Sequence, residues 1–171
     1  VLNMIVNTDP FKRFIEIWLY LMLLLMVLIV FVGGLTRLTD SGLSITEWEL
    51  FKGIIPPLDK ETWSFYFNQY KQIPEYKEVN YDMSLSEFKV IYYWEYGHRL
   101  IARVIGLFSI LPLIYLFFKF EKYRNEILKY SIIFLLICSQ GLIGWFMVKS
   151  GLIDNTDVSH YRLALHLSVA F

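Results

Sequence analysis

Charged residues are absent from three long apolar stretches of this 171-residue chain. No Asp, Glu, Lys or Arg occurs at 17–35, 104–118 or 130–148, so all 32 charged residues lie elsewhere in the sequence. Stretches without charge are typical of membrane-spanning helices, because a helix requires about 20 residues to cross the apolar core of a bilayer. The pattern predicts an all-α, polytopic membrane protein and disfavours a soluble enzyme, a disordered chain or a nucleic-acid binder.

Helix signals around these stretches predict a single membrane domain, 1–171, built as a four-helix bundle. Thr8-Asp9-Pro10 offers a cap and a proline for the start of helix 1, and a capping box of the Ser-x-x-Glu type begins at Ser84. Pro112 is expected to kink helix 2. The predicted order is helix 1 at 10–36, an outer loop at 37–84, helix 2 at 85–118, helix 3 at 130–148 and the start of a truncated helix 4 at 159–171.

Bases near the predicted helices indicate the orientation of the bundle. Lys12 and Arg13 lie near the N-terminus and four further bases lie between helices 2 and 3, whereas the connection at 36–89 has nine acids and six bases. By the positive-inside rule, the N-terminus is expected inside and the long loop outside. Four aromatic residues of this loop follow helical spacing: Trp63, Tyr66, Phe67 and Tyr70. They predict a short amphipathic helix that lies on the membrane surface or over the bundle mouth, or packs on the loop's own core.

Net charge and cysteine content exclude two kinds of site. The 16 bases and 16 acids give no basic surplus that would favour a nucleic-acid partner. The only cysteine, Cys138, lies in an apolar stretch and is expected to be a small buried side chain. The chain therefore can form neither an internal disulfide nor a cysteine-rich metal site.

Two of the three histidines are predicted to share one depth in the membrane. Counting back about 30 Å from the inner end of helix 2, at about 1.5 Å per residue, places His98 at the outer edge, and His166 lies one turn below that edge in helix 4. Two imidazoles suit the axial positions of a haem iron, whereas a tetrahedral zinc site would lack ligands. An interhelical hydrogen bond from His98 is the alternative, and His160 is expected to be a loop residue. Small residues below the two histidines leave room for a flat macrocycle or serve as close-packing positions: Ala102, Gly106 and Ala170.

Charged residues gather near the two histidines at the outer rim. The guanidinium groups of Arg37, Arg99 and Arg162 suit pairing with haem propionates, or act as snorkelling anchors. Glu95 lies one turn above His98, where burial favours the protonated carboxyl that suits proton transfer beside a redox centre. Two other roles for Glu95 remain open, namely orienting an imidazole and forming an ion pair with Arg99.

Four motifs resemble those of the heme A synthase family and occur in the same order. They are GGLTRLTDSGLS at 33–44, EYGHR at 95–99, QGLIGWFMVKSGL at 140–152 and YRLALHL at 161–167. The resemblance extends from helix 1 to helix 4 and so covers essentially the whole chain. It implies half of an eight-helix protein with two similar halves, each able to hold a haem between two histidines, in a bacterial or mitochondrial inner membrane.

The resemblance also implies a reaction, the oxidation of a porphyrin methyl group of heme O to the formyl group of heme A for cytochrome oxidase. It implies that His98 and His166 are the axial iron ligands and that Glu95 is the catalytic acidic residue. The nine residues of 163–171 are too few to cross a bilayer, so the fourth helix is expected to be truncated and a carboxy-terminal half to be missing. The resemblance implies that a resident heme b lies mainly in that missing half. Heme O synthase, an electron donor and the bilayer are the expected partners. The outer-loop cysteine pair of one subgroup is missing.

Three alternatives to this enzyme remain open from the residues themselves. A bis-histidine membrane protein can bind haem and transfer electrons without forming a product. A remnant of an enzyme can bind nothing, and a quinol-linked cytochrome is the third alternative. Haem content, heme A formation and quinol-dependent reduction of the haem distinguish these functions from each other.

Overall fold

Three helices of the computed structural model are long and apolar enough to cross a membrane: Pro10–Leu38, Leu85–Phe118 and Phe120–Ile153. The structure describes residues 9–49, 51–153 and 155–170, and these contain helices but no strand. The prediction of an all-α, polytopic membrane protein is therefore confirmed. Thr8 and Phe171, which the sequence assigns to the cap of helix 1 and to helix 4, lie outside the described residues.

Eight α-helices follow one another in the described part of the chain. They are α1 (Pro10–Leu38), α2 (Lys60–Tyr70), α3 (Pro74–Glu78), α4 (Leu85–Ser109), α5 (Leu111–Phe118), α6 (Phe120–Tyr123), α7 (Ile127–Ile153) and α8 (His160–Ala170). The stretch predicted as helix 2 consists of α4 and α5, and α7 extends beyond 130–148 at both ends. The capping box of Ser84 and Glu87 at the start of α4 is confirmed.

Local hydrogen bonds define both ends of α1. The Asp9 side chain accepts a hydrogen bond from the Phe11 backbone N–H at 3.2 Å, which caps the first turn. At the other end, Asp40 has a φ of 46°, in the left-handed region. The Ser41 N–H donates to the Thr36 carbonyl at 3.0 Å, as in a Schellman motif. This motif stops the helix and turns the chain towards α4.

Pro112 separates α4 from α5. α4 ends at Ser109, α5 begins at Leu111, and Pro112 lies in the first turn of α5. Proline has no N–H to donate to the carbonyl four residues earlier, which belongs to Phe108. The indole N–H of Trp18 in α1 donates to this carbonyl at 2.7 Å. The predicted kink is thus a break between two helices, and a neighbouring helix supplies the missing hydrogen bond.

Two clusters of buried apolar side chains hold the helices together. The first, which we call the far cluster because it lies away from the long loop, joins α1, α4, α5 and α7: Phe11, Trp18, Met22, Ile105, Leu116 and Tyr130. The loop cluster joins the long loop to α4 and to the connector before α8: Leu43, Ile45, Trp63, Phe67, Tyr70, Ile73, Phe88, Tyr92 and Val158. Because Trp63, Phe67 and Tyr70 lie in the loop cluster, α2 packs on the loop's own core, which is the predicted alternative to the membrane surface or the bundle mouth.

α7 is the common neighbour of the helices that carry the candidate ligands. α1 packs along α4, and α7 packs against both α4 and α8, whereas α4 and α8 are not an extensively packed pair. His98 in α4 and His166 in α8 therefore lie on two helices that share α7 as a neighbour. Cys138 of α7 is exposed, so the expectation that it is buried is wrong.

Candidate functional site

The Glu95 carboxylate joins α4 to the start of the long loop. Glu95 is 3% exposed. Its Oε2 accepts hydrogen bonds from the Ser44 hydroxyl at 2.7 Å and from the Ile45 backbone N–H at 2.8 Å. Its Oε1 accepts hydrogen bonds from Arg99 at 2.6 and 3.0 Å. These four hydrogen bonds leave neither oxygen of the buried Glu95 side chain without a partner. The ion pair with Arg99, which is one of the roles left open by the sequence, is therefore present.

Two arginines of α4 hold the backbone of the next loop residues. Arg99 donates to the carbonyl oxygens of Ile45 at 2.9 Å and of Glu47 at 3.2 Å. Arg103, one turn further along α4, donates to the carbonyl oxygen of Glu49 at 2.9 Å. The loop from Ile45 to Glu49 is thus fixed along one face of α4, beside His98. We call this end of the bundle the loop end.

Each of the two imidazoles contacts a glycine of a neighbouring helix. A Cβ atom added to Gly33 of α1 would lie 3.0 Å from Nε2 of His98, and one added to Gly144 of α7 would lie 3.0 Å from Cε1 of His166. We call Gly33 and Gly144 the glycine seats, because the absence of a side chain makes space for the rings. Both imidazoles are half-buried and lie within electrostatic reach of each other at the loop end.

The side chain of Gln140 in α7 also contacts His166. Its Nε2 atom lies 3.2 Å from Nδ1 of the ring and donates to the His166 carbonyl oxygen at 2.9 Å. The amide oxygen, Oε1, is buried and has no hydrogen-bond partner among the described residues. Gln140 therefore holds both the ring and the backbone of α8 against α7, with one polar atom left over.

The predicted rim arginines have different partners. Arg37 forms two parallel hydrogen bonds with Asp157, both at 2.8 Å, and so links the end of α1 to the connector before α8. Arg162 donates to the Phe146 carbonyl oxygen at 2.9 Å, and its guanidinium carbon lies 3.9 Å from the centre of the Phe146 ring. The described partners of Arg162 are therefore neutral, whereas those of Arg37 and Arg99 include carboxylates.

A second buried carboxyl group lies in the long loop. Glu75 of α3 is 5% exposed, and its Oε2 has no hydrogen-bond partner in the described part of the chain. Burial first, and then the negative charge of Glu95, raise the pKa of Glu75 to about 8. Asp40 and Asp157 also raise this pKa, and a hydrogen bond from Tyr70 lowers it. Glu75 is consequently mostly protonated at neutral pH.

The donor set of the site suits a haem better than a bare metal ion. No group of three or more His, Cys, Asp or Glu side chains within the described ranges is placed to hold a metal ion. A haem iron takes four ligands from its porphyrin and needs two from the protein. The imidazoles of His98 and His166, each against a glycine seat, provide the two protein ligands that such an iron needs.

Comparison with known proteins identifies the family. The family model of COX15-CtaA, described as a cytochrome oxidase assembly protein, matches residues 16–171. The chain belongs to this family. Among curated relatives named Heme A synthase, that of Pelagibacter ubique is 59% identical over 98% of this chain. Those of Rickettsia bellii and Nitrosospira multiformis are each 54% identical, over 90% and 92% of the chain. The predicted resemblance to heme A synthases is confirmed.

The matches cover only part of each relative. They include 50% of the Pelagibacter protein, 46% of the Rickettsia protein and 44% of the Nitrosospira protein. This member of the COX15-CtaA family therefore spans about half the length of the curated relatives it matches. No solved structure matches the chain.

Several residues of the site have no assigned role in the sequence analysis. Gln140 carries a signal, since an amide within an apolar membrane-spanning stretch has to find a polar partner. Glu75 carries none, because a loop acid next to a proline looks like an ordinary solvated residue until the fold buries it. His160 is exposed and is the first residue of α8, rather than a loop residue as expected.

Alanine at either glycine seat is expected to move one imidazole. Gly33→Ala should shift the ring resonances of His98 alone, and Gly144→Ala those of His166 alone, because the new methyl group forces the ring to move by a few tenths of an ångström. NMR spectra of the protein with 15N-labelled histidine measure this effect, since the chain has three histidines.

Two neighbouring glycines provide matched controls for this experiment. Gly34 and Gly141 have open space where a Cβ would lie, so their alanine variants should leave all imidazole resonances in place. Equal shifts in the seat variants and in these controls would contradict the contacts described above.

Glu95→Gln is expected to destabilise the protein by about 3 kcal/mol, since the change leaves the Arg99 charge without its buried partner. The new amide NH₂ would also face the donors Ser44 and Ile45 if it occupied the Oε2 position. Denaturant unfolding in detergent measures the loss, and hydrogen exchange at the Ile45 amide should become faster. The control is Glu47→Gln, at an exposed residue whose carboxylate accepts a hydrogen bond from Gln69. The same loss of stability in both variants would contradict the prediction.

Glu75→Gln is expected to remove a pH dependence of stability. The folded protein binds a proton at Glu75 up to a pH of about 8, whereas the ordinary pKa is 4.5, so the free energy of unfolding falls as pH rises between these values. The slope is at most about 1.4 kcal/mol per pH unit. The free energy of unfolding of Glu75→Gln, relative to that of the wild type, should therefore rise between pH 5 and pH 8. Exposed Glu78 of the same helix is the control, and a similar trend in Glu78→Gln would refute the assignment.

Proposed function

We propose that this chain forms the heme O site of a heme A synthase, which oxidises a porphyrin methyl group of heme O to the formyl group of heme A for cytochrome oxidase. His98 and His166 are the proposed axial ligands of the substrate iron. The observation that carries the proposal is the pair of imidazoles, each on a glycine seat, on two helices that pack on α7. The names of the curated relatives support the same reaction.

Substrate binding requires a partner for the anionic propionates at the loop end. Arg162 is the proposed partner, because its described contacts are with a carbonyl oxygen and an aromatic ring. Arg37 and Arg99 are already paired with Asp157 and Glu95, so a propionate would have to compete with these carboxylates. Arg37 and Arg99 are therefore proposed to attract the propionates more weakly than Arg162 does.

Conversion of a methyl to a formyl group removes electrons and protons from the substrate and adds one oxygen atom, so it needs an oxygen source and an electron acceptor from outside this chain. The iron supplies the redox chemistry when the substrate is bound. Glu95 is the proposed proton acceptor, because it is the buried carboxyl group one turn from His98 on α4. A proton would be held at Oε2, beside the Ser44 hydroxyl, while Arg99 remains on Oε1.

The complete activity is proposed to require groups and partners that lie outside this chain. We propose that a resident heme b lies mainly in the part of a heme A synthase that this chain does not match, and that heme O synthase and an electron donor are partners. The proposed location is an inner membrane, bacterial or mitochondrial, with the N-terminus inside. The bases at the start of α1 and between α5 and α7 support this orientation.

The proposed ligands can be tested by haem content. The protein, purified from bacterial membranes that contain heme O, is expected to show the spectrum of a low-spin bis-histidine haem after reduction. His98→Ala and His166→Ala should each abolish this spectrum, whereas His160→Ala, at the exposed third histidine, should retain it. Unchanged haem content in both ligand variants would reject the proposed site.

Product formation separates the enzyme from the alternatives. Cells that make heme O but no heme A would carry this chain together with the part of the Pelagibacter relative that it does not match. Heme A in these cells supports the proposed function. Glu95→Gln should lower the yield of heme A by a larger factor than it lowers the amount of bound haem. Haem binding without heme A would instead indicate an electron-transfer protein, and neither would indicate a remnant.

A further inference from the structure

Gln140 presents one chemical group to the ring of His166 and leaves the other without a partner. Its Nε2 lies 3.2 Å from Nδ1 of the ring, and its Oε1 is buried with no hydrogen-bond partner among the described residues. An amide NH₂ group is only a donor, and an amide oxygen is only an acceptor. The orientation of this amide therefore decides whether Nδ1 of His166 accepts a hydrogen bond from Gln140 or donates one to it.

The same choice decides which ring nitrogen is free to bind a metal. A neutral imidazole carries one proton, so Nδ1 can accept a hydrogen bond only if the proton is on the ring Nε2. A protonated nitrogen has no lone pair for iron. If the amide oxygen faces the ring instead, Nδ1 carries the proton and Nε2 of His166 becomes the ligand. Gln140 Oε1 is the acceptor that this ligating tautomer needs.

We propose that Gln140 is the positioning residue that selects the tautomer of His166, and that rotation of its amide towards the ring prepares Nε2 of His166 for the iron. The inference rests on the proposed function, in which His166 is an axial ligand. It adds a residue that touches neither the iron nor the reacting methyl group. Gln140 acts through His166, because a hydrogen-bond acceptor at the other nitrogen orients a ligating imidazole and raises its basicity.

Exchange between the two amide orientations changes the hydrogen bonds of Gln140 more than its shape. The carboxamide of Gln140 has nearly the same shape in both orientations, so rotation requires little repacking of α7. The seat at Gly144 keeps the ring close to α7, which holds Nδ1 within reach of the amide in either state. Rotation of the amide breaks the Gln140 hydrogen bond to the His166 carbonyl oxygen and turns Oε1 towards that oxygen. Two acceptors repel each other, so the acceptor orientation requires the Gln140 amide to shift away from this carbonyl group.

The first arm of the test uses the protein without haem. NMR of 15N-labelled histidine distinguishes a proton on Nδ1 from one on Nε2. The wild type is expected to carry the His166 proton on Nε2, as the donor orientation requires. Gln140→Glu should move this proton to Nδ1, since a carboxylate only accepts. The same tautomer in the wild type and in Gln140→Glu would overturn the inference, whatever the outcome of the haem experiments.

The second arm uses the protein loaded with heme O. Gln140→Met keeps the length of the side chain but provides no acceptor, and it should weaken haem retention about 10- to 100-fold. The midpoint potential should rise in Gln140→Met and fall in Gln140→Glu, because a more basic ligand stabilises ferric iron. Ser139→Ala is the matched control, because the Ser139 hydroxyl donates to the Leu136 carbonyl oxygen at 2.7 Å in the same helix.

The two proposals fail in different ways. A wild type that binds no bis-histidine haem rejects the proposed function, while the tautomer measurement still tests Gln140. A wild type with the expected haem spectrum, but with the same potential and haem retention in Gln140→Met, Gln140→Glu and Ser139→Ala, rejects the role of Gln140 and leaves the ligands in place. Opposite shifts of potential in Gln140→Met and Gln140→Glu support both.

Discussion

The hydrogen bonds of the Glu95 carboxylate determine how the long loop meets the helices. A buried carboxylate requires donors on both oxygens, and here they come from Ser44, Ile45 and Arg99. The Schellman motif at the end of α1 delivers Ser44 and Ile45 to this point. The loop cluster then forms on top of a polar anchor one turn from His98. Fold and site are thus linked, because the same carboxylate closes the loop and defines the surroundings of the imidazole.

Close helix packing is the second constraint on the site. Gly33 in α1 and Gly144 in α7 let an imidazole approach the backbone of the next helix, where any other residue would push it away. At the far end, Trp18 crosses from α1 to the carbonyl that Pro112 cannot satisfy. Both features use a neighbouring helix to complete what one helix lacks. The positions of the two candidate ligands are therefore a property of the packed bundle rather than of α4 or α8 alone.

The sequence predicts those features that depend on local pattern. Charge-free stretches predict the membrane helices, and capping residues predict where α4 begins, because both effects act within a few neighbouring residues. The partner of Arg37 and the burial of Glu75 cannot be read in this way, since Asp157 and α7 are distant in the chain and only packing brings them close. The exposure of Cys138 could not be predicted either, because an apolar stretch does not tell which of its side chains the other helices cover.

Charge balance at the loop end explains why one arginine differs from the others. The guanidinium groups of Arg37 and Arg99 each face a carboxylate, so their positive charge is largely neutralised within the protein. Arg162 contacts a carbonyl oxygen and a ring, which stabilise a cation without neutralising it. An anion that enters between α4 and α8 consequently gains most at Arg162 and least at the paired arginines.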